Sequence, residues 1–432
     1  MKLHSLPDYK WPESHTRWTA VPRRLAGAIA FHVAYWSGRV TDWLAGPARP
    51  AIAVIRTDGL GDAVLFEPAL RSLAARFPEH DLHLWAPAAV CDLYGSAPYV
   101  AQLTVIPRGC KPGNLEYFAS LKWRACMGYA IGRHPFDTAV CPAESPEPLG
   151  NWLLASVRAD ERWMVDGDTE NQFQWQKARA IMAATGILSH RPGGGHELLR
   201  NAHLAKQWKS PTDIAGDLPQ IHVSDDAAQV AFGLVRQWRA LARQLDAVGI
   251  LGVVPAGTLT AKSYRPAAWA TVLAQLWQEH RLLPAFIGTA NEAGPIEEIL
   301  GRLPEMPYLR LGDAIDVLAL AALLGKLDVV LGVDTGPAHL ALAQQVPTVV
   351  LCGGGYPGRF FPWPDARDAI VLNHRMPCEG CASRCHLAEP ECVTSISPAD
   401  VVNAVLAVWR GRQDRDKPVQ PPRPGEPMRV AV

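Results

Sequence analysis

The sequence has no charge of one sign to spare. Its 432 residues carry 42 Lys and Arg against 42 Asp and Glu, a formal net charge of zero. The long-range field that gathers nucleic acid is missing, and no nucleic-acid partner is expected. No uninterrupted apolar run approaches the ~20 residues that span a bilayer, which argues against a transmembrane segment. The first ten residues lack the charged-then-apolar order of a secretory signal, so the expected compartment is the cytoplasm. The nine cysteines then read as thiols or metal ligands rather than structural disulfides.

What is present is alternation. From Ala51, short apolar runs alternate with helical patterns: a strand over 51–55, a helix over 66–77, a strand over 81–85, a helix over 88–94, and strands over 103–106 and 138–141. Such spacing predicts βα units on a parallel sheet. Residues 143–222 carry four tryptophans and few strand signals, and are read as helical insertions and loops. A helix over 225–245 leads to a second alternating series. Its strands are expected at 250–254, 283–287, 327–333, 348–352 and 369–372, and its helices at 266–279, 291–300, 317–324, 337–344 and 398–409. The fold class is therefore α/β, with a binding turn at a strand end in each half and no fixed-period repeat. The expected divisions are 1–49, a helical extension; 50–245 and 246–412, two Rossmann-like domains; and 413–432, a Pro-rich disordered tail.

The extension contains one amphipathic helix over 23–44, basic at its start and aromatic later. Two readings stand: a helix packed on the domain, or an interfacial helix with Arg23, Arg24 and Arg39 at lipid head groups.

Three polar turns follow successive strands of the second half. Asp334-Thr335-Gly336-Pro337-Ala338-His339 ends a strand and opens a helix, whose amides and dipole favour a phosphate. The turn 255–266 carries Lys262 and Arg265, a point charge and a fork suited to a diphosphate. The turn 288–292, ending in Glu292, suits hydroxyls or a base edge. In the first half, Arg56-Thr57-Asp58-Gly59-Leu60-Gly61-Asp62 lacks the G-x-G-x-x-G spacing. Its acids repel phosphate and fit a sugar hydroxyl or a general base; for Asp62 the alternative is plain charge complementarity at a helix start.

Taken together, these strings resemble glycosyltransferase family 9, the heptosyltransferases of lipopolysaccharide assembly. The supporting residues are Arg56-x-Asp-x-x-Gly-Asp62, Pro68-Ala-Leu, Phe77-Pro78, the Lys262 loop with Trp269, Gly288 to Glu292, Asp334-Thr-Gly-Pro-x-His339 and Cys378-x-x-Cys381. The resemblance covers roughly residues 51–110 and 250–405. It implies a GT-B fold of two facing Rossmann-like domains with a central cleft. It also implies an inverting transfer from a nucleotide-diphosphate sugar to a lipid-linked saccharide at the inner-membrane face, with no cofactor for chemistry. By position, Asp62 would be the general base and Lys262 would neutralise the donor phosphates. Glu292 would hold the nucleoside, Thr335 and Gly336 would bind phosphate, Asp334 would contact the sugar, and His339 would support the site. Arg56 and Asp58 fall on the acceptor side. A protein O-heptosyltransferase, a nucleotide-sugar epimerase or hydrolase on the same scaffold, and a non-catalytic nucleotide-sugar-binding protein are the alternatives.

Cys378, Cys381, Cys385 and Cys392 lie within fifteen residues. A structural Zn or Fe site, reduced thiols, or a disulfide pair all remain open there. The resemblance adds that a branch of the family acting on autotransporter proteins holds iron at such a cluster. Asp166-Gly167-Asp168 spells the acid pair of metal-dependent sugar transferases, but reads here as a solvated turn.

Overall fold

The computed structural model describes residues 20–45, 49–106, 121–189, 191, 194–257, 259–312, 315–364, 366 and 368–415. The described residues divide into two compact units. The first takes those within 1–58, 74–91 and 99–190, and the second those within 59–73, 92–98 and 191–432.

The first unit is built on a six-stranded sheet: β1 (Ala51–Ile55), β2 (Asp81–Ala86), β3 (Gln102–Val105), β4 (Pro135–Cys141), β5 (Arg158–Val165) and β6 (Gly186–Leu188). Its strand order is β3-β2-β1-β4-β5-β6, and every pairing is parallel. The second unit holds β7 (Gly249–Val254), β8 (Leu282–Ile287), β9 (Leu309–Leu311), β10 (Val329–Val333), β11 (Thr348–Leu351) and β12 (Ala369–Leu372). Its order is β12-β11-β10-β7-β8-β9, again all parallel. Read from the first strand of each series, the two orders are the same.

Burial explains the strand sequences. β1, β7, β8, β10 and β11 are buried along their whole length, as strands covered on both faces must be. The edge strand β12 is half-exposed throughout. In the second unit, Trp269, Leu273 and Leu276 of the helix Pro266–His280 and Val401 and Val405 of the helix Pro398–Arg415 close over Leu251, Leu331 and Val349. In the first, Leu149, Leu153 and Leu154 pack on Ala53, Ile55 and Ala139.

The helix Ala20–Ala45 lies on the helix Leu121–Arg133, backbone against backbone. A Cβ at Gly128 would stand 2.3 Å from the Phe31 carbonyl oxygen, and one at Gly132 would stand 2.1 Å from that of Tyr35. Its inner face, with Phe31 and Tyr35, joins the first unit's core. The packed reading of this helix therefore holds for that face.

Two expectations are corrected. Residues 143–222 are not only helices and loops, since β5 and β6 lie there and complete the first sheet. β5 hid because Arg158, Asp160, Glu161 and Arg162 break its apolar run, and its first residues are half-exposed. The helix after β1 begins at Leu60 rather than Phe66 and carries Pro68 inside it, so Gly61 and Pro68 are not breakers here. β9, only three residues long, had no signal. The expected disordered tail falls almost wholly on residues outside those described.

Candidate functional site

In each sheet the strand order reverses between two neighbours, β1 and β4 in the first, β7 and β10 in the second. Ligands bind at the carboxyl ends of the strands beside such a reversal. In the second unit, Lys262 ends the turn Thr260–Lys262 after β7, and Asp334 follows β10 directly. The pairing Gly332↔Val254 makes those exits adjacent, so residues far apart in sequence meet. Lys262 Nζ lies 2.7 Å from Asp334 Oδ2, with the side chains 18% and 11% exposed. The ammonium is fixed by its partner and still accessible.

Beside it the helix Gly336–Ala343 starts with Pro337 in its first turn. Thr335 is the N-cap, but its side chain accepts no cap hydrogen bond. Its hydroxyl donates instead to the Val333 carbonyl at 3.2 Å. The first-turn amides are left without a side-chain cap, the arrangement that receives an anion.

His339 lies one turn in and is 3% exposed. Its ring stacks on Phe361 at 4.3 Å between centroids. Trp363 Nε1–H donates to His339 Nδ1 at 3.1 Å, so Nδ1 must be the unprotonated nitrogen and Nε2 carries the proton. Nε2 is 4.0 Å from Asp334 Oδ1. Burial holds the imidazole far below its ordinary value, at about 3; Asp62 opposes this, while Lys262 and His196 add to it. His196 is itself lowered to about 4 by burial, against a hydrogen bond to the Phe360 carbonyl.

The segment 59–73 belongs to this same unit. A Cβ at Gly61 would stand 2.7 Å from His339 Cδ2, and one at Gly336 would stand 2.9 Å from the Leu60 side chain. Gly61 is thus required by the imidazole, and the contact delivers Asp62, in the first turn of its helix, to the N-terminal end of another. The structure brings together Asp62, Lys262, Asp334, Thr335, Gly336 and His339.

Glu292 stands one strand outward, after β8. Its carboxylate accepts the Thr289 backbone N–H at 2.8 Å and also the Thr289 hydroxyl, a local capping box. Arg56 and Asp58 belong to the first unit and pair with each other: Arg56 Nε donates to Asp58 Oδ1 at 3.0 Å and NH2 lies 2.5 Å from Oδ2. The acids of 166–168 are held within their own unit. Asp166 meets Lys177 at 2.8 Å, and Asp168 accepts from Ser145 at 2.6 Å.

A cavity opens from Lys262 and Asp334 toward the cysteine-rich loop, lined by Cys378, Cys381, Cys385 and Cys392 and by Gly353, Gly354 and Gly355. The glycine run knits the loop down: Gly380 N–H donates to the Gly354 carbonyl at 2.8 Å, and Ala382 N–H to that of Gly355 at 3.0 Å. This run, like Phe361 and Trp363, escaped the sequence reading, although three glycines straight after an apolar strand are a signal of close backbone approach. The four thiols are unpaired. Among the described residues no three His, Cys, Asp or Glu side chains converge as metal ligands.

The profile of glycosyltransferase family 9 (heptosyltransferase) matches residues 170–389, just over half of the chain. The chain belongs to this family. No curated protein matches it. Among solved structures, a family 9 glycosyl transferase from Veillonella parvula DSM 2008 superposes with a TM-score of 0.66 at 15% identity, over 84% of this chain and 98% of that one. E. coli ADP-heptose lps heptosyltransferase II gives 0.61 at 18%, over 84% and 99%. E. coli heptosyltransferase WaaC with ADP-2-deoxy-2-fluoro heptose gives 0.56 at 13%, over 84% and 99%. At such identities the likeness is one of fold. The two parallel six-stranded sheets with flanking helices are the GT-B fold of this glycosyltransferase family.

Proposed function

We propose that this family 9 enzyme moves a heptose or related sugar from a nucleoside-diphosphate donor to a lipid-linked saccharide of lipopolysaccharide type, with inversion. The single observation behind it is the Lys262–Asp334 pair beside the uncapped helix Gly336–Ala343. Asp62 takes the proton of the acceptor hydroxyl, whose oxygen then attacks the anomeric carbon. The bond from that carbon to the diphosphate oxygen breaks, and the oxygen leaves with the electron pair. Lys262 and the amides of Thr335 and Gly336 meet that developing charge, which is why the transfer is proposed to need no metal. Asp334 contacts the donor sugar while orienting Lys262, and His339 lies beside Asp334 on the other side. Glu292 takes the nucleoside, a role that requires it to exchange its local cap for the ligand. Arg56 and Asp58 face the acceptor. Any Zn or Fe at Cys378, Cys381, Cys385 and Cys392 would be structural, stapling the loop.

The donor nucleotide is taken as adenosine diphosphate, because the WaaC structure of like fold contains an ADP-heptose analogue. The acceptor places the enzyme in the cytoplasm, peripheral on the inner membrane. The experiment is a thermal-shift panel with ADP, GDP, UDP and dTDP, followed by turnover of ADP-heptose with and without a lipid A–core acceptor. A ligand bound only by the folded state raises Tm. A shift with ADP and acceptor-dependent turnover are expected. No shift with any nucleotide rejects the donor site, and full turnover without acceptor makes the protein a hydrolase.

A further inference from the structure

The helix Ala20–Ala45 has a second face that the first unit does not use. Ile29, Val33, Trp36, Val40, Trp43 and Leu44 are each 54–79% exposed. Their spacing of four, three, four, three and one puts all six on one side of a helix. Phe31 and Tyr35, which join the core, fall on the opposite side. At 1.5 Å per residue the exposed stripe runs about 24 Å.

The charges around the stripe indicate what covers it. The helix has three arginines, Arg23, Arg24 and Arg39, and one acid, Asp42. That acid is turned inward and held by Arg158 NH1 at 2.9 Å. Arg39 stays beside the stripe, its guanidinium 6.0 Å from the centre of the Trp36 ring. The helix thus presents apolar side chains edged by the Arg39 guanidinium, with its only carboxylate neutralised within the fold. Trp36 and Trp43 recur seven residues apart, where a two-helix seam takes Leu, whereas indoles suit the boundary between head groups and acyl chains. A specific protein interface also buries about 800 Å² per partner with a hydrogen-bonded rim, and this stripe offers no polar group within it beyond the two indole N–H groups. No helix among the described residues is long and apolar enough to cross a membrane.

We infer that this face docks the enzyme in the plane of an anionic lipid surface, Trp36 and Trp43 entering the boundary and Arg39 meeting the head groups. Phe31, Tyr35 and the backbone contacts at Gly128 and Gly132 hold the helix to the first sheet, so docking orients that sheet as well. The inference deepens the proposed function and rests on it for its purpose, but its geometry is independent of the donor site.

The test is flotation of the full-length protein with phosphatidylcholine vesicles, with and without phosphatidylglycerol. The wild type is expected to float with the anionic vesicles and release at high salt. Trp36→Ser combined with Trp43→Ser is expected to lower partitioning at least about tenfold. Phe232→Ser, an equally exposed apolar residue elsewhere, is expected to leave it unchanged. The ADP thermal shift, measured on the same samples, reports the donor site separately and should survive in both variants. Flotation that is absent, or equal in wild type and double variant, overturns the inference. A dimer seen by light scattering, lost in the double variant without vesicle binding, overturns it too and makes the stripe a contact between copies.

Discussion

The two sheets share one strand order and reverse it at the same place, yet they furnish the reversal differently. In the first unit the exit of β1 holds Arg56, 3% exposed, gripping Asp58 through two nitrogens. In the second, the exits of β7 and β10 hold Lys262 and Asp334 at the edge of a cavity, joined through one ammonium. The first pair is turned mainly to structure: a buried guanidinium whose removal from water must be offset by the carboxylate. The second is the pair proposed to meet a ligand, because a point charge with three donors can release one partner and take another. Topology chooses where a site forms; burial and residue type choose what it does.

The contrast can be broken in order of expected effect. Asp62→Ala is expected to lower sugar transfer by about 10²–10⁴-fold, the usual worth of a general base, while the ADP thermal shift persists. Transfer at the wild-type rate would remove Asp62 from that role. Asp58→Asn takes the charge from beside the buried Arg56 guanidinium. It should cost on the order of 3 kcal/mol in urea unfolding, with the ADP shift retained. A neutral result would make the Arg56 pair no more structural than the Lys262 pair. Lys262→Ala should reverse the pattern, weakening ADP binding by about 1.5–3 kcal/mol while unfolding changes little.

The smallest effect concerns protons. His339 and His196 are pushed down to about 3 and about 4 by burial, against an ordinary value of 6.5. In that window the unfolded chain binds protons that the folded chain refuses. Their contribution is therefore complete above about pH 6.5 and is lost as pH falls toward 4 and below. Tm should decline over that range, and His339→Asn should flatten the decline. His196, together with His83 in the first unit, lowered to about 4 by burial and by His134, should supply the slope that remains.

Much of the fold was legible because central parallel strands announce themselves as apolar runs. The strand 369–372 and the helix 317–324 lie where the pattern puts them. β5 was not, because its half-exposed length carries charges that imitate a loop. The site residues were legible one at a time, since Lys262, Asp334 and His339 each follow a strand or open a helix. Their meeting was not, because it depends on β7 lying beside β10, a choice made by the whole sheet. Nor was the cause of Gly61, which is the imidazole of His339. The tautomer of that imidazole comes from Trp363, which no local pattern marks.

The same Gly61 contact bears on how the chain is made. The segment 59–73 is synthesised early, directly after β1, yet it packs with residues of the opposite end. Its Gly61 contact must wait until His339 has left the ribosome. The second unit cannot be completed as a contiguous fragment, and a truncation beginning at β7 would lack a piece of its own packing. Contacts of such long sequence separation slow folding and keep apolar surface exposed meanwhile. Translation of this enzyme is therefore expected to end with the early helix still short of its His339 contact, a stage at which chaperone capture competes with assembly of the site.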